Sequence, residues 1–219
     1  YNNTSIIIKE PINGYDIVST IDIDLQETAE KELRNQLERT EANRGTVVLM
    51  EVKTGKIRAI SNLIRQKSGK YSESENIAMN SQIEPGSTFK VLTMAAALDS
   101  GAINLETNYY CRGSEQIPGR SQLLHCWRSQ GHGAEKTPQA LQNSCNLAFA
   151  HIALKLGGEK FYEYIEKFGI LEKTGIDLAG ESKGVFFDRS LVVNTEKWGT
   201  ASLTSGSFGQ TAPLYVPLR

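Results

Sequence analysis

The chain has 219 residues, of which 24 are basic and 25 acidic, so its formal net charge is −1. This balance of charges gives no sign of a basic surface that would bind nucleic acid. A hydrophobic fraction of 39% is sufficient for a buried core in one large domain or two small ones. No run of about 18 apolar residues occurs, and no signal peptide is visible at Tyr1.

Three cysteines, Cys111, Cys126 and Cys145, lack the regular spacing of metal ligands, and their odd number leaves at least one unpaired. Cys111 and Cys126 flank a polar loop, so a disulfide between them and two reduced thiols fit the sequence equally well. His125 and His132 lie near Cys126 and suggest a metal site, but their irregular spacing favours a loop held by hydrogen bonds. Cys145 is predicted to be a small buried side chain. The sequence therefore predicts no bound metal.

The N-terminal part of the chain predicts a linker, a strand and a helix in that order. Residues 1–13 are polar and are predicted to link the domain to a preceding one. Tyr15 to Ile21 is rich in residues that favour strands. Residues 22–42 repeat apolar side chains with helical periodicity, and their acidic residues come early and their basic residues late, as the helix dipole prefers.

A β-hairpin is predicted next. Residues 46–52 and 56–63 read as two strands, and Lys53-Thr54-Gly55 reads as the turn between them. Residues 64–80 predict a polar loop.

Residues 84–98 predict a helix that contains an unexpected charge. A Pro-Gly pair breaks the preceding structure, and Ser87 is a favourable N-cap or first-turn residue. The chain is then almost entirely apolar as far as Leu98, which predicts a buried helix. Lys90 is the anomaly, because a buried ammonium is costly unless it is paired or neutral. Ser87 lies three residues earlier on the same face, as a nucleophile would beside its base.

The second half of the chain predicts helices separated by irregular segments. Residues 104–136 predict a long irregular loop, which in a compact domain is usually functional. The predicted helices are those of residues 137–143, 147–156 and 159–168. Residues 169–209 predict loops and turns without a further strand, so the predicted sheet is small.

Two short motifs carry the chemistry. Ser87-Thr88-Phe89-Lys90 is the only Ser-x-x-Lys in the chain, and Ser144-Cys145-Asn146 is a Ser-x-Asn downstream of it. They resemble the first two motifs of the penicillin-binding protein and serine β-lactamase superfamily. Further segments are similar to the transpeptidase domain of class B penicillin-binding proteins, namely residues 14–32, 45–60, 84–86, 175–178 and 208–210.

The resemblance implies an α+β fold, an αβα sandwich, with residues 14–219 forming the transpeptidase domain. In this family the third motif, Lys-(Thr/Ser)-Gly on a sheet strand, is expected beyond Gln210. The chain is therefore expected to be truncated before this motif and to lack C-terminal sheet strands. Two Lys-Thr-Gly sequences do occur, Lys53-Thr54-Gly55 and Lys173-Thr174-Gly175, but both are interpreted as turns because their composition suits turns.

The resemblance also implies a D,D-transpeptidase that cross-links peptidoglycan stem peptides through a serine acyl-enzyme, without a cofactor. Ser87 is implied as the nucleophile that attacks a D-Ala-D-Ala terminus and that β-lactams acylate, with Lys90 as its base. Ser144 is implied as a proton relay to the leaving amine, and Asn146 as a residue that holds Lys90 and the substrate.

The implied partners are stem peptides, β-lactam antibiotics, a membrane glycosyltransferase and other cell-wall synthesis or division proteins, with no nucleic acid. The implied location is the extracytoplasmic face of a bacterial membrane, with the anchor outside this chain. Two alternatives stay open: a β-lactam sensor or β-lactamase of the same superfamily, and an inactive binding fragment that lacks the third motif. A second Ser-x-Asn, Ser74-Glu75-Asn76, is interpreted as a solvated loop.

Overall fold

The computed structural model describes residues 12–194, 199–211 and 217. One layer of the fold is a helix on a three-stranded antiparallel sheet. Its elements are α1 (Ile23–Thr40), β1 (Arg44–Met50), β2 (Ile57–Arg65) and β3 (Tyr71–Ser72), with the strands paired in the order β1-β2-β3. The predicted first helix and hairpin are therefore confirmed.

The sequence explains why this layer forms. The Asp22 side chain caps α1 by accepting the backbone N–H of Asp24 at 3.1 Å. Leu33 and Leu37, one turn apart on α1, pack against Leu63 of β2. Burial of this apolar stripe holds the helix on the sheet.

The strand predicted for Tyr15 to Ile21 is wrong. The segment has no regular secondary structure, and its side chains are exposed. A strand needs a partner for its backbone N–H and C=O groups, and this segment meets β2 only at its end, where the Thr20 hydroxyl donates to the Ile57 carbonyl at 2.7 Å. The predicted linker of residues 1–13 falls almost entirely outside the described residues.

The second layer is helical. It comprises α2 (Ile77–Asn80), a 3₁₀ turn (Gly86–Phe89), α3 (Lys90–Asp99), α4 (Thr137–Gln142), α5 (Asn146–Leu156), α6 (Gly158–Lys167), α7 (Arg189–Val193) and α8 (Gly199–Gly206). Helix α5 lies at the centre, with α3 and α8 packed against it. Most of its apolar side chains, including Phe149 and Ile152, are buried, as expected for a mainly apolar helix, while Leu154 is only partly buried.

Helix α3 is buried on one side only. Lys90, Thr93 and Met94 are buried, but Val91 is 61% exposed. The prediction that this helix is buried all round is therefore correct only for the face that meets α5.

The segment of residues 104–136 is more ordered than predicted. It contains β4 (Asn108–Cys111), β5 (Ser114–Glu115), β6 (Leu124–His125) and β7 (Gly133–Lys136), paired as β4-β7 and β5-β6. Runs of two to four residues are too short to show a sheet period, so the sequence pattern did not reveal them.

Helices α7 and α8 occupy a region predicted to be loops. Helix α8 is rich in Gly, Ser and Thr, which have weak helix propensity. Packing outweighs that propensity, because Leu203 is buried and α8 contacts α5. The overall architecture is α+β, as predicted. No helix within the described ranges combines the length and the apolarity needed to cross a bilayer.

Candidate active site

Ser87 lies in the 3₁₀ turn that leads into α3, and its side chain is exposed. The turn is held from the other end of the chain. The backbone N–H of Gly86 donates to the carbonyl oxygen of Gly209 at 3.0 Å, and the Glu84 carboxylate accepts the N–H of Thr211 at 2.6 Å. These contacts fix the position of Ser87 relative to α3.

Lys90, at the start of α3, is 1% exposed. Its Nζ donates to the carbonyl oxygen of Ser144 at 2.7 Å, to Ser144 Oγ at 3.0 Å and to Asn146 Oδ1 at 2.7 Å. All three N–H groups of the ammonium therefore have an acceptor. Nζ also lies 5.3 Å from the ring centroid of Phe149 and 5.9 Å from that of Phe208. Hydrogen bonds and two aromatic faces thus compensate the buried charge.

Burial lowers the pKa of Lys90 to about 8. Electrostatic attraction between the ammonium and Cys126, Cys145 and Glu135 raises the pKa, but it does not cancel the effect of burial. The neutral amine is consequently accessible near physiological pH.

Ser144 occupies a strained position between α4 and α5. Its φ is 51°, a left-handed conformation that is uncommon for residues other than glycine. Strain of this kind persists where the surroundings hold it, and it is frequent at functional sites. Next to it, the Cys145 sulfur caps α5 by accepting the N–H of Ala148 at 3.5 Å.

Asn146 joins three parts of the site. Its Oδ1 accepts from Lys90, while its Nδ2 donates to the carbonyl oxygen of His125 at 3.3 Å. The amide orientation follows from these two contacts. Asn146 therefore connects α3 and α5 to the segment of β6.

The structure brings three of the four predicted site residues together by hydrogen bonds, namely Lys90, Ser144 and Asn146. Ser87 lies one turn before Lys90 on the same segment. No hydrogen bond joins its Oγ to any other residue of the described ranges, and Lys90 directs its N–H groups to the Ser-x-Asn motif instead.

Neither Lys-Thr-Gly sequence lies on a strand: the first forms the turn between β1 and β2, as predicted, and the second lies in an irregular segment. Gly55, with φ 70°, lies between β1 and β2. Thr174 donates its N–H and its hydroxyl to the Glu181 carboxylate, each at 2.5 Å. Ser74 is exposed in a loop, in agreement with the prediction of a solvated segment.

Sequence reasoning missed a cluster of thiols and an imidazole beside this site. The sulfur atoms of Cys111, Cys126 and Cys145 and a ring nitrogen of His132 lie within 4.8 Å of one another. All three cysteines are free thiols, which decides the disulfide question that the sequence left open. The four residues come from separate elements, so their spacing in the sequence is irregular. That irregular spacing alone favoured a hydrogen-bonded loop over a metal site when only the sequence was considered.

The environment treats these thiols differently. Burial raises the pKa of Cys145, and its hydrogen bond to Glu135 adds to the effect. Burial also acts to raise the pKa of Cys126, but the backbone N–H groups of Arg128 and Asn146 outweigh it, and the net pKa is lowered. Trp127, which the sequence left as either a cleft residue or a loop anchor, donates Nε1–H to the Asn143 carbonyl at 3.0 Å.

Comparison with known proteins shows the family of this chain. The family model described as the penicillin binding protein transpeptidase domain matches residues 45–212. The chain belongs to this family. The predicted fold class and family resemblance are thereby confirmed.

Curated relatives include stage V sporulation protein D of Bacillus subtilis, which is 34% identical over 91% of this chain and 31% of its own length. Peptidoglycan D,D-transpeptidase MrdA of Acinetobacter baumannii is 28% identical over 96% of this chain and 33% of its own. The chain thus spans about a third of the length of these relatives.

Solved structures show the same fold. The crystal structure of Pseudomonas aeruginosa PBP2 in complex with WCK 5153 has a TM-score of 0.80 and 25% identity, covering 95% of this chain and 50% of that one. Penicillin binding protein 3 from Mycobacterium tuberculosis, complexed with aztreonam, has a TM-score of 0.79 and 23% identity, covering 97% and 47%.

Proposed function

We propose that the protein containing this chain is a class B D,D-transpeptidase that cross-links peptidoglycan at the outer face of a bacterial membrane. The observation that carries the proposal is that buried Lys90, one turn after Ser87, donates hydrogen bonds to the half-buried side chains of Ser144 and Asn146. The relative MrdA of Acinetobacter baumannii is named a peptidoglycan D,D-transpeptidase, which supports the same reaction here.

Ser87 is the nucleophile. A serine hydroxyl attacks a carbonyl only when a base takes its proton, and Lys90, one turn further along the same segment, is suited to that task. With a pKa of about 8, roughly a tenth of the lysine is neutral at pH 7, which is sufficient for a general base. The proton lost by Ser87 passes to the lysine Nζ as the bond from Oγ to the D-alanine carbonyl carbon forms.

The remaining residues complete the transfer. The Ser87 N–H lies in the first turn of the 3₁₀ segment, where backbone N–H groups lack helical partners and can stabilise an oxyanion. Ser144, bonded to Lys90, passes the proton to the departing D-alanine amine as the peptide bond breaks. Asn146 holds the lysine and a substrate amide. The amine of a second stem peptide then attacks the ester and releases Ser87.

Treatment of the intact protein with a fluorescent penicillin tests this proposal. We expect one covalent adduct, located on Ser87 by mass spectrometry and absent in Ser87→Ala. An unmodified Ser87 peptide in fully treated protein would contradict the enzymatic mechanism. Slow hydrolysis of the adduct is expected for a transpeptidase, whereas rapid turnover would favour a β-lactamase.

The two Ser-x-Asn sequences provide a matched comparison for the relay. Ser144→Ala is expected to slow acylation by about 100-fold, within the range typical for loss of a general acid–base group. Ser74→Ala removes the serine of the exposed copy and is expected to leave the rate unchanged. Equal rates in both variants would remove Ser144 from the mechanism.

A further inference from the structure

Four potential metal ligands meet beside the Ser-x-Asn motif. The sulfur atoms of Cys111, Cys126 and Cys145 lie within 4.8 Å of one another and of a ring nitrogen of His132. We propose that these four side chains bind one zinc ion in a tetrahedral site. Three cysteines and one histidine form one of the ligand sets that structural zinc sites use, and thiolate ligands select zinc over hard cations.

The separations fit such a site after a small contraction. Zinc–sulfur bonds of about 2.3 Å place the sulfur atoms of a tetrahedral site about 3.8 Å apart. The Cys126 sulfur and Nδ1 of His132 are already 3.7 Å apart. Because no pair of ligand atoms is separated by more than 4.8 Å, inward movements of less than about 1 Å close the site.

The backbone around the ligands is closely packed. Cys111, the last residue of β4, pairs with Gly133 of β7, and the N–H of Cys126 donates to the Gly113 carbonyl at 2.8 Å. A Cβ atom on Gly113 would lie 1.8 Å from the Ser129 carbonyl oxygen. Only glycine permits this approach, so the chain segments that carry the ligands are held together before a metal binds.

The imidazole of His132 presents Nδ1 to the thiols, since Nδ1 lies 3.7 Å from the Cys126 sulfur. As a zinc ligand Nδ1 would be unprotonated, and Nε2, which is buried and has no partner among the described residues, would carry the ring proton.

The proposed ion has a structural consequence for the catalytic motif. Cys145 is the middle residue of the Ser-x-Asn motif and the N-cap of α5. The other ligands belong to β4 and to the chain between β6 and β7. Zinc therefore ties Ser144 and Asn146 to the chain that faces them and positions both against Lys90. This positioning role rests on the proposed transpeptidase function, whereas the binding of zinc does not.

Metal analysis of the intact protein, purified under reducing conditions without chelator, tests the site. We expect inductively coupled plasma mass spectrometry to find one zinc ion per chain. Cobalt-substituted protein is expected to show the absorption of tetrahedral Co²⁺ with thiolate ligands. Protein without zinc, or with a native disulfide between any two of the three cysteines, would overturn the proposal.

Single substitutions assign the ligands. Cys111→Ser and His132→Ala each remove one zinc ligand. Each is expected to weaken zinc affinity by more than roughly 10–100-fold, which is the cost of losing a residue that only supports a ligand. Competition with a chromophoric chelator measures the affinity. His125→Ala is the matched control, because this exposed histidine lies outside the cluster. It is expected to keep the wild-type affinity. Unchanged affinity in both ligand variants contradicts the site, and circular dichroism verifies that each variant folds.

Reversible removal of zinc from the wild-type protein tests the positioning role. We expect the acylation rate constant at saturating penicillin to fall about tenfold or more and to recover when zinc returns, with a smaller change in the dissociation constant of the pre-covalent complex. Unchanged acylation after zinc removal contradicts the positioning role. A zinc-loaded protein that is never acylated contradicts the proposed function and leaves the metal site standing.

Discussion

At the scale of single residues, the proposed chemistry depends on Lys90. A lysine that is 1% exposed usually lowers the stability of a protein, yet here three acceptors and two aromatic rings surround it. Burial makes the charge of Lys90 costly, and it also lowers the pKa of this side chain to about 8. Stability and function are therefore linked through one side chain, since the environment that tolerates the ammonium also makes the amine a usable base.

Replacing Lys90 with methionine is expected to separate these two effects. Lys90→Met keeps the length of the side chain but removes the base, so acylation of the intact protein by a fluorescent penicillin should fall by about 100-fold or more. The thermal unfolding midpoint should stay close to the wild-type value, because the cost of burying the charge disappears together with the hydrogen bonds of the ammonium.

Lys31→Met, on the exposed side of α1, is the control and is expected to alter neither quantity. Wild-type acylation of Lys90→Met would show that another group accepts the serine proton.

At the scale of secondary-structure elements, a contact between distant segments positions Ser87, the proposed nucleophile. Gly209 follows α8 and lies against the turn that contains Ser87. A Cβ on Gly209 would lie 2.2 Å from the Gly86 carbonyl oxygen and 2.8 Å from the Phe89 Cβ. Glycine is thus required for two reasons, a φ of 72° and the absence of space for a side chain.

The two reasons can be separated by a pair of substitutions. Gly55→Ala has a similar φ of 70° but no atom within 4 Å of its Cβ, so it is expected to cost about 1 kcal/mol of unfolding free energy. Gly209→Ala adds a steric clash and is expected to cost about 3 kcal/mol or more.

Chemical denaturation measures both values. The displaced turn should also slow acylation in Gly209→Ala and not in Gly55→Ala. Equal stabilities of the two variants would indicate that the contact with Gly86 is unimportant.

At the scale of the whole molecule, α5 unites the core. Its residues Phe149 and Ile152 belong to one apolar cluster with α3 and the chain of β4, whereas Ala153 and Leu156 belong to a second cluster with α6. The Ser-x-Asn motif lies at the N-terminus of this helix. The core therefore provides a rigid base for Ser144 and Asn146.

Truncation of one core side chain is expected to destabilise the entire helical layer. Ile152→Ala removes a fully buried side chain and should lower the free energy of unfolding by about 2–5 kcal/mol. Ile23→Ala, in α1, makes the same chemical change at a position that is 81% exposed and should stay within about 0.5 kcal/mol of the wild type. Denaturant titrations compare the two, and similar losses would show that α5 is not the structural centre.

The amino-acid sequence by itself determined the elements whose signals are local. Apolar periodicity and the order of charged residues predicted α1, turn chemistry at Gly55 predicted the hairpin, the buried charge marked Ser87 and Lys90, and the family resemblance implied roles for Ser144 and Asn146. The same reasoning failed for α8 and for β4 to β7, because weak propensities and very short strands are decided by packing with distant residues.

Tertiary structure alone decided the arrangement of the site. Lys90 meets Ser144 across 54 residues of sequence, and Cys111, Cys126, His132 and Cys145 converge from separate elements without a regular spacing. Periodicity and capping describe neighbours along the chain, whereas these contacts depend on how α5 packs against α3 and on how the glycine-containing segments around β4 approach each other. That is why the sequence predicted the catalytic motifs and yet missed the cluster beside them.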